Sequence, residues 1–519
     1  MDRGLSESAV DEDTRLNGGL FETGIAMMTI DIQWSSFFWA IAPWGIPLCA
    51  AFLILLVGNF LKHFHLFSFS VTVIALLASI WLGFQRWLTP GGEEVGGLLF
   101  DSYTYLFVLF FLIGTLLTTL LSFSYLKNFR LDRPEYYALL LFAVFGMGCM
   151  ASASELMIVF LGLEIMSISV YVLAGFQRSN TRCVEAAIKY FLIGAFASSI
   201  LLLGIAFIYG AAGTTNLLAL HEVGAVMLQG SSRLFALLGL SLIGVGFAFK
   251  IAAVPFHFWA ADVYEGSPVV VTNFMATVVK LAAFAALLRV IWALFQWVPD
   301  FMEKFLWIAA ALTMTVGNIA ALRQKNLKRM LAYSSVAHAG YALIPLVAFL
   351  HSPLESFSSV GFYLLAYLLM TSGAFGVLIA LSSSAPREFC EMHDLAGLGF
   401  RKPFLGFAMT VLMLSLAGIP PTIGFFGKYY MFLQAIHAGF LWLAVIGVIN
   451  SVISVYYYLT PVVTMYFGKT GDEEHHPLYS APLSVVAVVW FSCLGVLLFG
   501  LFPSGLLEMV RTSMQGWLG

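Results

Sequence analysis

The chain has 519 residues, of which 61% are hydrophobic and only 10% charged; its net charge is −3 and its mean hydropathy +0.92. A soluble domain carries about 25% charged residues, so a water-soluble fold of this size is excluded and lipid is the solvent for most of the chain. The small charge gives no reason to expect a nucleic-acid partner. Five scattered cysteines (Cys49, Cys149, Cys183, Cys390 and Cys493) form no CxxC pair, so neither a disulfide framework nor a zinc or iron–sulfur site is implied.

Residues 1–36 form a polar, acidic N-terminal tail containing Asp2, Glu7, Asp11, Glu12, Asp13, Glu22 and Asp31. They lack the basic opening of a signal peptide. Apolar stretches then follow at 38–60, 65–84, 103–126, 136–153, 155–176, 187–211, 234–261, 268–293, 303–322, 330–350, 357–382, 403–436, 440–466 and 481–507. They run from 18 to 34 residues, against the roughly 20 that a membrane crossing needs. The expected fold is an all-α polytopic membrane protein of about 14 transmembrane helices. With the N-terminus outside, the inner loops carry fourteen Lys and Arg, including Lys62, Arg130, Arg133, Arg178, Lys328 and Lys469, against six on the outer side. The positive-inside rule therefore places both termini on the external side.

The seventh and twelfth stretches are longer than a straight crossing requires. They contain Pro255 and the pair Pro420 and Pro421. Proline breaks the helical ladder, which lipid tolerates only where protein or a water-filled cavity satisfies the freed groups. Five spans apart, the two cross in opposite directions, a sign of inverted repeats with a site at mid-membrane. The expected organisation is helices 1–3 over 37–135, a first repeat over 136–293 (helices 4–8), a second over 303–466 (helices 9–13), and helix 14 over 481–507.

Charged residues stand inside these spans. Glu164 is near the centre of the fifth, Lys250 precedes Pro255 in the seventh, Lys280 is central in the eighth, and Lys428 follows the double proline in the twelfth. Lys189 lies near one end of the sixth. A charge at mid-bilayer costs at least about 2.5–3.5 kcal/mol. Lysine suits proton handling because burial favours its neutral form and a nearby carboxylate favours its charged form. A movable Glu–Lys pair is thus an electrostatic switch, and a row of such groups linked by water would be a relay. His257 and His338 are the natural intermediate carriers. The blander readings are a static Glu164–lysine ion pair, a snorkelling Lys189 and hydrogen-bonded interior histidines. Asp262 and Glu265 suit a proton-entry region or a cap for the next helix. Glu155, at the start of the fifth span, is expected to face water, and His475 and His476 a solvated loop. The thirteenth span offers Asn450, Ser451, Ser454 and Tyr456 but no lysine.

The segments LGLEIMSISVYVLAGF, EAAIKYFLIGAFASSILLLGIAFIYG, GFAFKIAAVPFHFWAADVYEGSP, NLKRMLAYSSVAHAGY and LSLAGIPPTIGFFGKYYMF together resemble the antiporter-like subunit N family of bacterial respiratory complex I, the counterpart of mitochondrial subunit 2. The resemblance covers roughly residues 38–507. Only about a dozen residues follow the last span, which leaves no room for the long lateral helix of the family's largest relative. The resemblance implies two inverted five-helix repeats with broken helices 7 and 12. It further implies a proton-translocating role in an NADH:quinone oxidoreductase of the bacterial inner membrane. Glu164, Lys189, Lys250, Lys280 and Lys428 match the family's membrane-embedded glutamate and lysines. No cofactor or metal is expected on this chain. FMN, iron–sulfur clusters and quinone would belong to partner subunits, and neighbouring antiporter-like subunits would be among the membrane partners. The alternatives are a subunit of a cation/proton antiporter and a scaffold whose charges are structural.

Overall fold

The computed structural model describes residues 34–61, 63–223, 232–383, 385, 387–468 and 481–518. The acidic residues of the tail through Asp31, together with Lys62, Lys469, His475 and His476, lie outside the described residues.

Each apolar stretch folds as helix. The first six spans are α1 (Trp34–Val57), α2 (Phe64–Leu88), α3 (Ser102–Asn128), α4 (Pro134–Ser152), α5 (Leu156–Ala174) and α6 (Thr181–Ala212). The seventh is split into α7 (Ser232–Lys250) and α8 (Phe258–Gly266), and the eighth is α9 (Val269–Leu294). Then come α10 (Pro299–Ala321), α11 (Leu327–Val347) and α12 (Pro353–Ser382). The twelfth span is again split, into α13 (Pro403–Ala417) and α14 (Ile423–His437), before α15 (Leu441–Phe467) and α16 (Leu483–Leu501). Among the described residues, thirteen helices are long and apolar enough to cross a membrane, and the broken α13–α14 accounts for the one remaining stretch, the twelfth. The chain is thus a polytopic α-helical membrane protein.

Local chemistry sets the helix starts. Asp101, Asn180 and Asn326 accept the first-turn amides of Thr104, Arg182 and Arg329. Pro134, Pro299, Pro353 and Pro403 sit in the first turn, where no amide donor is needed. Only Ala153, Ser154 and Glu155 separate α4 from α5. Glu155 is held there in an isolated bridge with Asn216.

Two features depart from expectation. A short hairpin, β1 (Glu94–Val95) and β2 (Leu98–Leu99), interrupts the all-α pattern; Gly96 and Gly97 supply its positive-φ turn. Its Gly97 carbonyl accepts from Ser154 N, which seats the hairpin against the α4–α5 linker. The last span also ends at Leu501 rather than 507. Pro503 starts a separate helix, α17 (Pro503–Leu518), which buries Leu506, Val510 and Met514 and pairs Arg511 with Glu355.

Burial sorts the helices. α9, α11 and α12 are almost wholly interior, whereas α2, α6, α7, α10, α15 and α16 present large apolar side chains outward. A helix apolar and buried all round belongs at the centre of such a bundle. The α4–α5 pair meets backbone to backbone: a Cβ on Gly146 would stand 2.5 Å from Gly162 O, and one on Gly162 would stand 2.7 Å from Gly146 O. α10 and α11 repeat the arrangement through Gly317 and Gly340, where an added Cβ would stand 2.6 Å from Ala337 N and 2.5 Å from Met314 N.

Candidate functional site

The two broken spans close their first halves alike. α7 ends at Lys250, Ala252 takes a left-handed backbone (φ 59°), and Ala253 N returns to Ala248 O at 2.7 Å. α13 ends before Gly418 (φ 86°), and Ile419 N returns to Leu414 O at 3.0 Å. These are helix C-caps placed in the bundle interior. The Val254–Pro255 and Pro420–Pro421 bonds, just beyond each cap, are cis.

Lys250 is buried, and its ammonium donates to Ser167 Oγ (2.8 Å) and Tyr171 OH (3.2 Å) on α5. Glu164 lies one turn before Ser167 on the same helix. Its Oε1 is buried without a hydrogen-bond partner among the described residues. The carboxylate is near enough to act electrostatically on Lys250 and Tyr171, yet among the described residues no Glu164–lysine contact falls within 4 Å. The static Glu164–lysine ion pair of the blander reading is not formed here; Ser167 takes the Lys250 ammonium instead.

Lys280 directly follows a π-helical turn, Met275–Val279, inside α9. Such turns frequently mark functional sites. Its ammonium donates to Ser335 O at 2.6 Å and also to Ser335 Oγ. One turn along α11, His338 bonds the hydroxyls of Tyr363 through Nδ1 and Tyr458 through Nε2, the latter at 2.7 Å; Tyr458 also meets Ser334. Tyr367 bridges the two groups: Lys280 lies 6.0 Å from its ring centre and the His338 ring 5.0 Å away.

Lys428, on α14, reaches back across the break. It donates to Leu416 O (3.1 Å), Ala417 O (2.9 Å) and Ser451 Oγ (3.0 Å). Three acceptors match its three protons, and the exposed carbonyl end of α13 favours a cation there. Tyr341, whose ring centre is 5.0 Å from Lys428, separates it from His338, whose ring lies 5.9 Å from that of Tyr341. Of the polar residues noted on the thirteenth span, Ser451 binds Lys428, Asn450 joins Asn318 and Thr315, and Ser454 donates to Ser451 O. Tyr456 points outward, 69% exposed.

Lys280, His338 and Lys428 are therefore brought together, and Lys250 is grouped with Glu164. The other two candidates stand apart. Lys189 is half exposed and pairs with Glu185 (2.8 Å) and Asp262 (3.1 Å). Asp262 continues to Arg329 (2.9 Å), which also holds Glu265 (2.9 Å). Lys189, Glu185, Asp262 and Glu265, with Arg182, line an open polar cavity of about 200 Å³ at one end of the bundle. His257 precedes α8 with Nδ1 buried and unpaired. Asp262 and Glu265 lie on α8 rather than in a loop, and neither caps the next helix. Val269 N, the first amide of α9, instead donates to Glu388 Oε1 at 2.9 Å.

Glu388 is one of the residues that sequence reasoning missed. It lies in the segment between α12 and α13, accepts from Lys328 (2.9 Å) and also takes the Tyr125 hydroxyl. Burial pushes its carboxyl up, but the Lys328 ammonium and the hydrogen bonds from Tyr125 and Val269 N together hold it below the ordinary carboxylate range. Lys328, counted from sequence as a loop cation, is buried and also donates to Ser267 O at 2.6 Å. At the opposite end Arg289 holds both oxygens of Asp101 (2.8 and 2.9 Å), and its guanidinium lies 4.5 Å from the ring centre of Tyr103 and 5.2 Å from that of Trp517. Arg289 could have been flagged as the fifth cation inside an apolar span. Nothing local in the sequence points to Glu388.

Among the described residues no carboxylate lies within 4 Å of Lys250, Lys280 or Lys428, and every hydrogen bond of their ammoniums goes to a neutral oxygen. No cluster of three or more His, Cys, Asp or Glu suits a metal ion among the described residues. Residues 153–454 match the family described as "NADH:quinone oxidoreductase/Mrp antiporter, TM". The NADH-quinone oxidoreductase subunit N of Trichlorobacter lovleyi is 44% identical over 446 residues, which is 85% of this chain and 90% of that protein. This chain belongs to the NADH-quinone oxidoreductase subunit N family. Solved structures share the fold. A chain of respiratory complex I from Thermus thermophilus with bound aureothin is 36% identical, with a TM-score of 0.75 over 90% of this chain and 98% of that one. A chain of the Mrp complex from Dietzia sp. has a TM-score of 0.77 at 21% identity over 92% of this chain and 96% of that one, a likeness of fold alone.

Proposed function

We propose that this subunit N chain translocates protons within an NADH:quinone oxidoreductase, using quinone reduction on other subunits to drive a relay through buried side chains. The observation that carries the reading is the set of three buried lysines held only by neutral oxygens. A static ion pair would lower the cost of a buried charge, and none is made. A lysine solvated by hydroxyls and carbonyls keeps the option of releasing its proton. In this relay Lys189, with Asp262 and Arg329, is the entry group at the open polar cavity. Glu164 and Lys250 are the electrostatic switch. Lys280, His338 and Lys428 are the carriers, with tyrosine and serine hydroxyls between them. His257 serves the first break. FMN, iron–sulfur clusters and the quinone site belong to partner subunits, and other membrane subunits of complex I are the neighbours.

The repeats are residues 136–293 and 303–466. Each contains a glycine-sealed first pair of helices and a broken span capped by a left-handed residue. The end of the bundle carrying Arg130, Arg178 and Lys328 faces the cytoplasm, and both termini face outward.

The test replaces Lys250 with Met in the assembled complex, reconstituted in liposomes. The expected result is normal assembly with reduced proton uptake and reduced coupled NADH:quinone reductase activity. Wild-type pumping by that variant would reject the relay. A cation/proton antiporter would instead purify without NADH dehydrogenase activity, so co-purification separates the two readings.

A further inference from the structure

A second cavity, of about 920 Å³, opens on the outer wall of the bundle where α1, α4, α5 and α6 meet. Its mouth, at the end of the helices, is lined by Arg130, Arg133, Arg178 and Glu135, three cations against one anion. Its deeper walls are apolar: Leu55 from α1, Leu139 and Phe142 from α4, and Val172 from α5. Glu135 to Phe142 spans seven residues, so the apolar part descends about 10 Å below the charges. Among the described residues none of the three guanidiniums has a carboxylate within 4 Å, although other arginines at this end, such as Arg329 and Arg387, do.

Arg130 has a peculiarity of its own. It occupies the left-handed position that ends α3 (φ 55°), with Leu131 N returning to Leu126 O at 2.8 Å. Glycine is the unstrained residue at such a cap. An arginine accepts the strain there and places a cation at the cavity mouth.

We propose that this cavity binds a phospholipid with an anionic head group. The guanidiniums grip the phosphate, and an acyl chain lies along Leu139, Phe142 and Val172. Planar guanidinium forks pair well with phosphate oxygens, and basic pockets at the head-group level of a membrane protein select acidic lipid. A neutral hydrocarbon would have no use for three cations, and a free anion would have no use for the apolar cleft. The cavity ends on Tyr171, whose hydroxyl accepts from Lys250. The bound lipid therefore closes the bundle wall beside the Lys250 group and keeps water from entering there sideways.

The experiment uses the intact complex in phosphatidylcholine nanodiscs doped with phosphatidylglycerol that bears a photoreactive acyl chain. Crosslinks are expected in peptides containing Leu139, Phe142 or Val172. Unlabelled phosphatidylglycerol should compete them away and additional phosphatidylcholine should not. Replacing Arg130, Arg133 and Arg178 together with Gln should lower the labelling about tenfold or more. Val172→Trp, at a site 49% exposed, should lower it with all three arginines intact and the fold undisturbed. Equal labelling by a photoreactive phosphatidylcholine would overturn the proposal. So would unchanged labelling in both variants. Labelling of the isolated chain but not of the complex would overturn it too, because a neighbouring subunit would then be what covers the cavity.

Discussion

Gly418 is constrained twice over. Its φ of 86° is left-handed, and a Cβ there would stand 2.9 Å from Lys428 Cδ and 3.3 Å from its Nζ. Gly418→Ala should therefore cost about 1–2 kcal/mol in backbone strain alone and also displace the Lys428 ammonium from the Leu416 and Ala417 carbonyls. Thermal unfolding and proton pumping measured beside Gly210→Ala, where a Cβ meets nothing within 4 Å, should show loss only at 418. The Lys328–Glu388 pair makes a second prediction. Breaking a buried pair costs about 3–5 kcal/mol, so Lys328→Met should lower the melting temperature markedly. The pH dependence has a definite sign. A carboxyl held low in the fold stabilises fully above its unfolded pKa of about 4.3 and loses that contribution as pH falls through the lower folded value. Acid unfolding of wild type should therefore steepen below about pH 4.3, and Lys328→Met should remove that component. At this scale the sequence showed which charged residues stand inside the apolar spans but few of the groups they meet. Lys250 and Ser167 are 83 residues apart, and Lys280 and Ser335 are 55 apart. A serine in an apolar span carries no mark of which ammonium it will meet.

Whole helices were far more legible, because span length is set by bilayer thickness and the run of apolar residues reports it directly. The prolines announced both breaks, although not that the breaks end in left-handed caps, since Ala252 looks like any other alanine. The final span ran too long because apolar residues continue through Phe502 and resume at Leu506, and only Pro503 marks where α17 begins. The hairpin escaped because two-residue strands have no periodicity to detect. Its Gly96–Gly97 pair was the available signal. The glycine-sealed contacts can be tested at this scale. Gly340→Leu would drive a side chain into the Met314 backbone amide, 2.5 Å from the position of its Cβ. Overpacking usually costs about 1–3 kcal/mol when side chains can yield, and backbone cannot. Poor membrane insertion or a collapsed melting temperature is the expected outcome, to be measured against Gly505→Leu, where a Cβ meets nothing within 4 Å.

Across the bundle, Arg289–Asp101 at one end and Lys328–Glu388 at the other fasten α9 and α11 to α3 and to the segment before α13. Lys250, Lys280 and Lys428 lie on α7, α9 and α14, inside a frame that is tied at both ends. The family and the fold were legible because their motifs are contiguous; the frame was not, because its contacts join residues far apart in sequence. The α4–α5 contact also bears on the tempo of the role proposed for Glu164. Two helices that touch backbone to backbone cannot slide without separating, so the carboxylate has only its own rotations to offer. Rotations of that kind run in picoseconds to nanoseconds, against microseconds or longer for a helix shift. An engineered disulfide bond joining α4 to α5 should then leave turnover unchanged, since the clock of the proposed switch would be set by side-chain torsion and hydration rather than by helix movement.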